Sequence, residues 1–289
     1  MARQSSFRNF AIGSTLIWIS IFVIVPYLFV IAVSFLTRDA DTTIRWIFTL
    51  ENYRELISPV FLEVCKESLW LAFGTTVLSL LAAYPFAYLL TRIPENARRF
   101  LILLMIIPFW TSSLIRTYSL IILFKANGLV NTVLLGLGLS DQPVELLYTQ
   151  GAVFVGLVYA LLPFMIMPLY SALQKLDRRL IEAARDLGAR GWQIFFRIVL
   201  PVTMPGIMAG CTMVFLPALG LFYIPDLVGG ARSMLIGNFI KNQYLTTGNW
   251  PVGSAASVVL TVFLCLFLYG YYLSSRKAHA RDGVGGGLV

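Results

Sequence analysis

Long stretches without a charged side chain limit the fold of this chain more than any other feature. The main stretches without Asp, Glu, Lys or Arg are 9–37, 68–91, 100–115, 117–124, 146–174, 198–225 and 242–275. A soluble domain carries about 25% charged residues. This chain of 289 residues carries 12% and has a mean hydropathy of +0.80. Because it lacks the polar residues that cover a globular core, we expect an integral membrane protein.

The uncharged stretches predict six transmembrane helices. A bilayer core about 30 Å thick requires roughly 20 apolar residues per helix, and five of the stretches are long enough alone. The two stretches on either side of Arg116 are joined into one span. The predicted spans are 10–36, 69–90, 100–124, 152–173, 199–224 and 252–275. We expect residues 1–289 to form a single transmembrane domain with an all-α fold.

Charged residues outside the spans predict the orientation. With both termini in the cytoplasm, 14 of the 22 Lys and Arg residues lie inside, 7 lie outside, and Arg116 lies within a span. The acidic residues divide the other way, with 5 inside and 9 outside. This distribution follows the positive-inside rule. The net charge of +8 is therefore explained by membrane orientation, and we expect no nucleic-acid partner.

The fourth loop, 175–201, carries the most informative pattern. Asp177 is a suitable helix N-cap, and 178–187 contains strong helix formers with Leu180, Ile181, Ala184 and Leu187 on one face. Gly188 follows, at a position where a left-handed residue commonly ends a helix. A second short amphipathic helix, 192–199, is expected to lead to Pro201. Helical geometry alone is equally consistent with an interfacial loop on the lipid headgroups and with a docking site for a partner.

One motif within this loop favours docking. Glu182-Ala183-Ala184 is followed by Gly188 and then by 198–201 (IVLP), directly before the next span. The motif resembles the EAA loop of binding-protein-dependent ABC importer permeases, which are type I importers with a MetI-like fold. The resemblance implies that the loop docks into a cleft of a cytoplasmic ATPase. It assigns the coupling role to Glu182, Ala183, Ala184, Asp186 and Gly188.

Three further segments extend the resemblance over most of the chain. They are 108–116 (PFWTSSLIR), 162–171 (LPFMIMPLYS) and 216–230 (LPALGLFYIPDLVGG). They resemble the spermidine/putrescine branch of the family, and within it the B-type permease subunit. The resemblance implies a bacterial inner-membrane permease that forms a heterodimeric pore with a second permease and receives polyamines from a periplasmic binding protein. Permeases of the same family for ferric iron or thiosulfate remain an alternative.

The chemistry of ATP hydrolysis is expected on a partner. This chain has no Gly-x-x-x-x-Gly-Lys-Ser/Thr loop to bind phosphates, so ATP and its Mg²⁺ are assigned to a cytoplasmic ATPase dimer. With one histidine, His279, and three widely spaced cysteines, we expect neither catalytic residues nor a cofactor or metal in this chain. An ion-coupled secondary transporter is less favoured, because such proteins hold ions on intramembrane carboxylates or broken helices and no predicted span contains Asp or Glu.

A candidate substrate path starts at Asp226, just past the fifth predicted span. A carboxylate beside aromatic rings suits an alkylammonium ion, which is attracted by the charge and by the ring faces. Phe222 and Tyr223 directly precede Asp226. The path is extended, as a hypothesis, to Trp110, Tyr118 and Tyr159, although helix packing or an interfacial aromatic belt is the favoured interpretation of each ring taken singly.

Arg116 is the one ionisable residue within a predicted span. Such residues usually face a bundle interior or a watery cavity. We expect its guanidinium to pair with a carboxylate or with carbonyl oxygens near the outer surface rather than to contact a cationic substrate.

Overall fold

The computed structural model describes residues 2–39, 43–230 and 234–284, and this part of the chain is mostly helical. Six of its helical segments are long and apolar enough to cross a membrane, which agrees with the predicted number of spans. They are Ile12–Ser34, Pro59–Leu90, Ser113–Gly136, Gln150–Gln174, Gly191–Gly220 and Trp250–Leu273.

The elements follow one another in a simple order. The first part of the chain contains α1 (Ala2–Ile19), a π turn (Ser20–Ile24), α2 (Val25–Ser34), β1 (Leu36–Asp39), β2 (Thr43–Phe48), α3 (Glu51–Glu55), α4 (Pro59–Leu90) and α5 (Glu95–Ile106). A 3₁₀ turn (Ile107–Trp110), α6 (Ser113–Phe124), α7 (Leu129–Gly136), α8 (Gln150–Gln174) and α9 (Arg178–Asp186) come next. The last part contains α10 (Gly191–Ile194), a π turn (Phe195–Val199), α11 (Leu200–Gly220), a π turn (Pro225–Gly229), α12 (Ile236–Leu245) and α13 (Trp250–Val284).

The prediction of one continuous third span over 100–124 is wrong. The helix is interrupted after Ile106, because Pro108 supplies no N–H for helical hydrogen bonding and Thr111 has an extended backbone, with φ −93° and ψ 148°. The apolar segment that could cross a membrane consists of α6 and α7, joined by a short turn at 125–128. The missed signal is the uncharged stretch 126–140.

The helix predicted over 192–199 is not a separate element. It begins as α10 and continues through a π turn into α11, so one helical segment extends from Gly191 to Gly220. In the π turn, the Leu200 N–H donates to the Phe195 carbonyl, five residues earlier. Pro201 follows at once, and a proline crowds the carbonyl four residues before it. The π turn lies where this crowding occurs and keeps the helix continuous.

The first loop contains a β-hairpin that the apolar pattern did not predict. Strands β1 and β2 pair antiparallel, with an irregularity between Leu36 and Thr37. The short helix α3 follows the hairpin. Its buried Asn52 donates from Nδ2 to the carbonyls of Ser34, at 2.9 Å, and Leu36, at 2.8 Å. These bonds fix the chain where it leaves α2.

Contacts divide the chain into two compact units. The first combines the segment up to Glu63 with Phe239–Cys265, and the second combines Val64–Asn238 with the chain from Leu266 onward. Within the second unit, α8 and α11 pack closely because glycines of α11 face α8. A Cβ at Gly206 would lie 2.4 Å from the Ala172 Cβ, and one at Gly210 would lie 2.7 Å from the Met165 sulfur. The assignment of 1–289 to a single domain stays a prediction.

Candidate functional site

The loop between α8 and α11 forms the helix that its sequence predicts. The Asp177 carboxylate accepts a hydrogen bond of 2.9 Å from the Arg179 N–H and caps α9. After Asp186 the chain leaves the helix, and Gly188 adopts φ +78°. The Gly188 N–H donates to the Arg185 carbonyl at 2.8 Å, which closes the last turn. Capping at both ends gives this nine-residue helix a fixed start and a fixed end.

The surface of α9 is only partly covered. Ile181 and Ala184 are half-buried, whereas Leu180 and Leu187, predicted on the same apolar face, are exposed. Leu187, at the end of the helix, is 88% exposed.

Most of the proposed coupling residues are exposed. Glu182, Ala183, Asp186 and Gly188 are exposed, and Ala184 is half-buried. Within the described part of the chain, the carboxylates of Glu182 and Asp186 have neither a hydrogen-bond partner nor an ion-pair partner. The exposed surface of this loop therefore carries two acidic side chains and the apolar Leu187.

A second set of site residues lies on the segment after α11. Asp226 belongs to the π turn Pro225–Gly229 and is half-buried. Its carboxylate accepts a hydrogen bond from Asn238 Nδ2, which also donates to the Phe222 carbonyl at 2.9 Å. The Asp226 N–H donates to the same carbonyl at 3.1 Å. This shared bonding holds the carboxylate in one position relative to the aromatic pair before it.

Asn238 is a site residue that the sequence reasoning missed. It is 2% exposed, and its Oδ1 is buried without a hydrogen-bond partner in the described part of the chain. The available signal was an amide side chain in the otherwise apolar stretch 234–240. A buried amide of this kind usually serves a specific partner, because leaving it unpaired costs free energy.

The structure brings together three of the six predicted path residues. Phe222 is exposed and meets the ring of Tyr223 edge to face at 6.2 Å. Tyr223 packs against the core cluster formed by Leu71, Val153, Leu157, Ile224 and Leu235. The two rings and Asp226 thus share one short, well-anchored segment.

The other three path residues lie on different elements. Trp110 ends the 3₁₀ turn, Tyr118 lies on α6 and Tyr159 lies on α8; all three are exposed. Both α6 and α8 pack against the π turn that holds Asp226. None of the three rings contacts another aromatic ring within 2–39, 43–230 and 234–284.

Among the residues that the structure describes, Arg116 does not form the expected polar contacts. Its guanidinium carbon lies 5.1 Å from the centre of the Phe109 ring, which meets Phe164 edge to face at 5.4 Å. The buried Nε has no hydrogen-bond partner among the described residues. The break at 107–112 explains the difference, since it places Phe109 beside α6 and gives the guanidinium an aromatic face in place of a carboxylate.

Comparison with known proteins places this architecture in a family. The family model described as binding-protein-dependent transport system inner membrane component matches residues 92–279. The spermidine/putrescine transport system permease protein PotB of Salmonella typhimurium (strain SL1344) is 49% identical over 276 residues, which are 96% of each chain. PotB of Escherichia coli (strain K12) is 50% identical over 259 residues, which are 90% of this chain and 94% of that protein.

Solved structures agree on the fold. A chain of a bacterial alginate ABC transporter, crystallised with a pentasaccharide-bound periplasmic protein, superposes with a TM-score of 0.77 over 95% of this chain and 96% of that one. The two sequences are 18% identical, so this likeness concerns the fold alone. The family match covers more than half of the chain, and the PotB relatives match nearly all of it. The chain is a multi-pass inner-membrane protein and belongs to the family of binding-protein-dependent transport system inner membrane components.

Proposed function

We propose that this chain is a permease subunit of an ATP-driven importer for polyamines such as spermidine and putrescine. Relatives named as spermidine/putrescine permeases are about half identical to it over nearly its whole length. The observation that carries the mechanism is α9, a capped helix outside the candidate spans whose two acids and Leu187 have no covering partner in the described chain.

In this proposal α9 docks on a cytoplasmic ATPase. ATP and Mg²⁺ bind to a dimer of that partner, and closure of the dimer moves α9 as a rigid body. The movement reaches the fifth span directly, because Gly191–Gly220 is one helical segment that starts a few residues after α9. Both termini lie in the cytoplasm, as the basic residues of the loops predict.

A second permease subunit completes the pore, and a periplasmic binding protein delivers the substrate. The cation is received at the Asp226 carboxylate, which Asn238 holds beside the exposed Phe222 ring. A fixed carboxylate next to an aromatic face attracts an ammonium group by charge and by cation–π interaction. Trp110, Tyr118 and Tyr159 extend the path along the elements that surround this segment.

A substitution pair at Gly188 tests the coupling role of α9. A Cβ at this position meets no heavy atom within 4 Å, so the positive φ of +78° is the only obstacle to a side chain. Valine is strained in this conformation, whereas asparagine tolerates it. We expect Gly188→Val to lower ATP-dependent polyamine uptake roughly fivefold or more, since strain of this kind costs about 1–3 kcal/mol, and Gly188→Asn to retain most of it.

Uptake and ATP hydrolysis are measured on the assembled importer in vesicles. We expect the complex with the valine variant to hydrolyse ATP without a corresponding rate of polyamine uptake, or to lose its ATPase subunits. Normal uptake and normal ATPase retention by Gly188→Val would show that this loop does not couple the two proteins.

A further inference from the structure

A basic cleft lies at one end of two candidate spans. It has a volume of about 420 Å³, and its charged lining consists of Arg92, Arg98, Arg178 and Arg185 against the single acid Glu182. Within the described residues, none of these arginines forms an ion pair with a carboxylate. The cleft therefore has an excess of positive charge, and no ion pair within the described chain neutralises its arginines.

Two of the arginines are held in place by neutral groups. Arg178 Nη2 donates to the Thr91 carbonyl at 2.9 Å. Arg92 lies over the Tyr88 ring, with its guanidinium carbon 4.7 Å from the ring centre, and donates to the hydroxyl of the same tyrosine. Both side chains are thus oriented while they keep their full charge and further N–H donors. An arginine cluster with free donors is suited to a phosphate group.

An apolar groove continues from this cleft. It has a volume of about 620 Å³ and is lined by side chains of α4 and of the 191–207 segment, including Leu80, Leu81, Tyr84, Pro85, Val199 and Leu200. Tyr88, Ile181 and Arg185 line both the groove and the cleft, so the two cavities share one wall. A single molecule with a charged end and a long apolar end would fill both.

The positions of the two cavities relative to the ends of the candidate spans match those of a lipid headgroup and its acyl chain. The α4 side of the groove, residues 80–88, belongs to the last turns of the candidate span Pro59–Leu90. The cleft residues Thr91 and Arg92 follow the end of that span, and Gln174 is the last residue of Gln150–Gln174. The apolar groove therefore lies at the depth of acyl chains and the arginines lie at the depth of headgroup phosphates, where basic clusters attract anionic lipids.

We propose that this chain binds an anionic phospholipid here, with the phosphate in the arginine cleft and an acyl chain in the adjoining groove. The lipid contacts α4 and, through Ile181 and Arg185, the side of α9 that faces the protein. It thereby ties the helix to the membrane boundary. This site is independent of the substrate path at Asp226 and requires neither ATP nor polyamine.

The test is binding of phosphatidylglycerol to the purified, complete importer, followed by native mass spectrometry during a lipid titration. Phosphatidylcholine is the probe for acyl-chain binding alone, and inorganic phosphate is the probe for headgroup binding alone. We expect phosphatidylglycerol to bind in preference to phosphatidylcholine and to resist displacement by inorganic phosphate. The cleft variant is Arg92→Gln/Arg98→Gln. Its affinity for phosphatidylglycerol should fall about fivefold for each arginine neutralised, as expected for a basic side chain near a membrane surface.

Matched variants separate the site from general charge and packing effects. Arg99→Gln/Arg179→Gln removes the same charge from exposed arginines that do not line the cleft, and should bind phosphatidylglycerol as the unmodified complex does. Leu81→Trp fills the groove from an exposed position of α4 and should weaken binding, whereas Leu89→Trp, exposed on the same helix outside the groove, should not.

Two results would overturn the proposal. One is that the cleft variant binds phosphatidylglycerol as well as its control, Arg99→Gln/Arg179→Gln. If the cleft variant does not fold, equal binding by Leu81→Trp and its control, Leu89→Trp, has the same meaning. The other is loss of the ATPase from the cleft variant with unchanged lipid affinity, which would assign the cleft to a protein partner. Neither result bears on polyamine uptake, since binding is measured without substrate.

Discussion

Asn238 gives the Asp226 carboxylate its position, and this pair shows what single residues contribute to the proposed substrate path. One amide nitrogen serves both the carboxylate and the Phe222 carbonyl. Because the amide is buried, it holds the carboxylate in place on the segment after α11. The charge of Asp226 is therefore the property to test.

We expect Asp226→Asn to lower uptake at limiting polyamine roughly tenfold or more, because a hydrogen bond to a charged group contributes about 1.5–3 kcal/mol. Asp226→Glu keeps the charge and should recover part of the activity. Asp141→Asn, which removes an exposed acid elsewhere, is the matched control. Initial uptake rates are compared at equal amounts of assembled complex. Unchanged transport by Asp226→Asn would remove this residue from the path.

Local chemistry made some residues predictable and left others hidden. Asp177 and Gly188 act through their own backbone neighbourhood, so their roles as cap and helix end could be inferred from the sequence and are confirmed. Asn238 acts on a carboxylate twelve positions earlier, and no local pattern specifies that partner. Likewise, Arg116 faces the Phe109 ring because the helix is interrupted at 107–112. The run of apolar residues there does not predict this interruption.

Elements of the second unit depend on glycines where two helices meet. Gly206 and Gly210 of α11 are four residues apart, so both face α8. Small residues at this spacing let helices approach closely in a membrane, where van der Waals packing replaces the hydrophobic effect as the driving force. The Pro168 carbonyl would lie 2.8 Å from a Cβ at Gly206, and a backbone atom cannot move aside cheaply.

Gly206→Val should accordingly destabilise the protein by about 1–3 kcal/mol or more, the usual cost of overpacking. Gly220→Val is the control, since a Cβ there meets no heavy atom within 4 Å. Thermal unfolding of the purified complex in detergent measures both variants. Equal midpoints for the two would show that the contact between α8 and α11 relaxes without cost.

Helix number could be predicted from the uncharged stretches because each one reflects the thickness of the bilayer. Helix interruption could not, since an apolar sequence is equally compatible with a straight helix and with one broken at Pro108. The same applies to 192–199, where the sequence suggested a separate helix and the π turn at Phe195–Val199 keeps α10 and α11 continuous. The hairpin of β1 and β2 was missed because its strands are short and lie between spans.

For the whole molecule, the net charge of +8 is unevenly distributed, and basic and acidic candidate sites lie on different segments. Basic residues cluster at the ends of the second and fourth candidate spans, around the cleft beside α9. The acid proposed to receive the substrate lies on a different segment, after α11. The orientation with both termini in the cytoplasm stays a prediction from this charge distribution. A basic inner surface and an acidic receiving site would suit the import of a cation.

The most direct test of the central claim is transport by the reconstituted importer. The chain is assembled in proteoliposomes with the second permease and the ATPase. The binding protein and radiolabelled spermidine are supplied on the side of the membrane that corresponds to the periplasm. We predict that spermidine accumulates only when ATP is present. Unlabelled putrescine should reduce this accumulation, whereas ferric iron and thiosulfate should not. ATP-dependent accumulation of iron or thiosulfate without accumulation of spermidine would contradict the account.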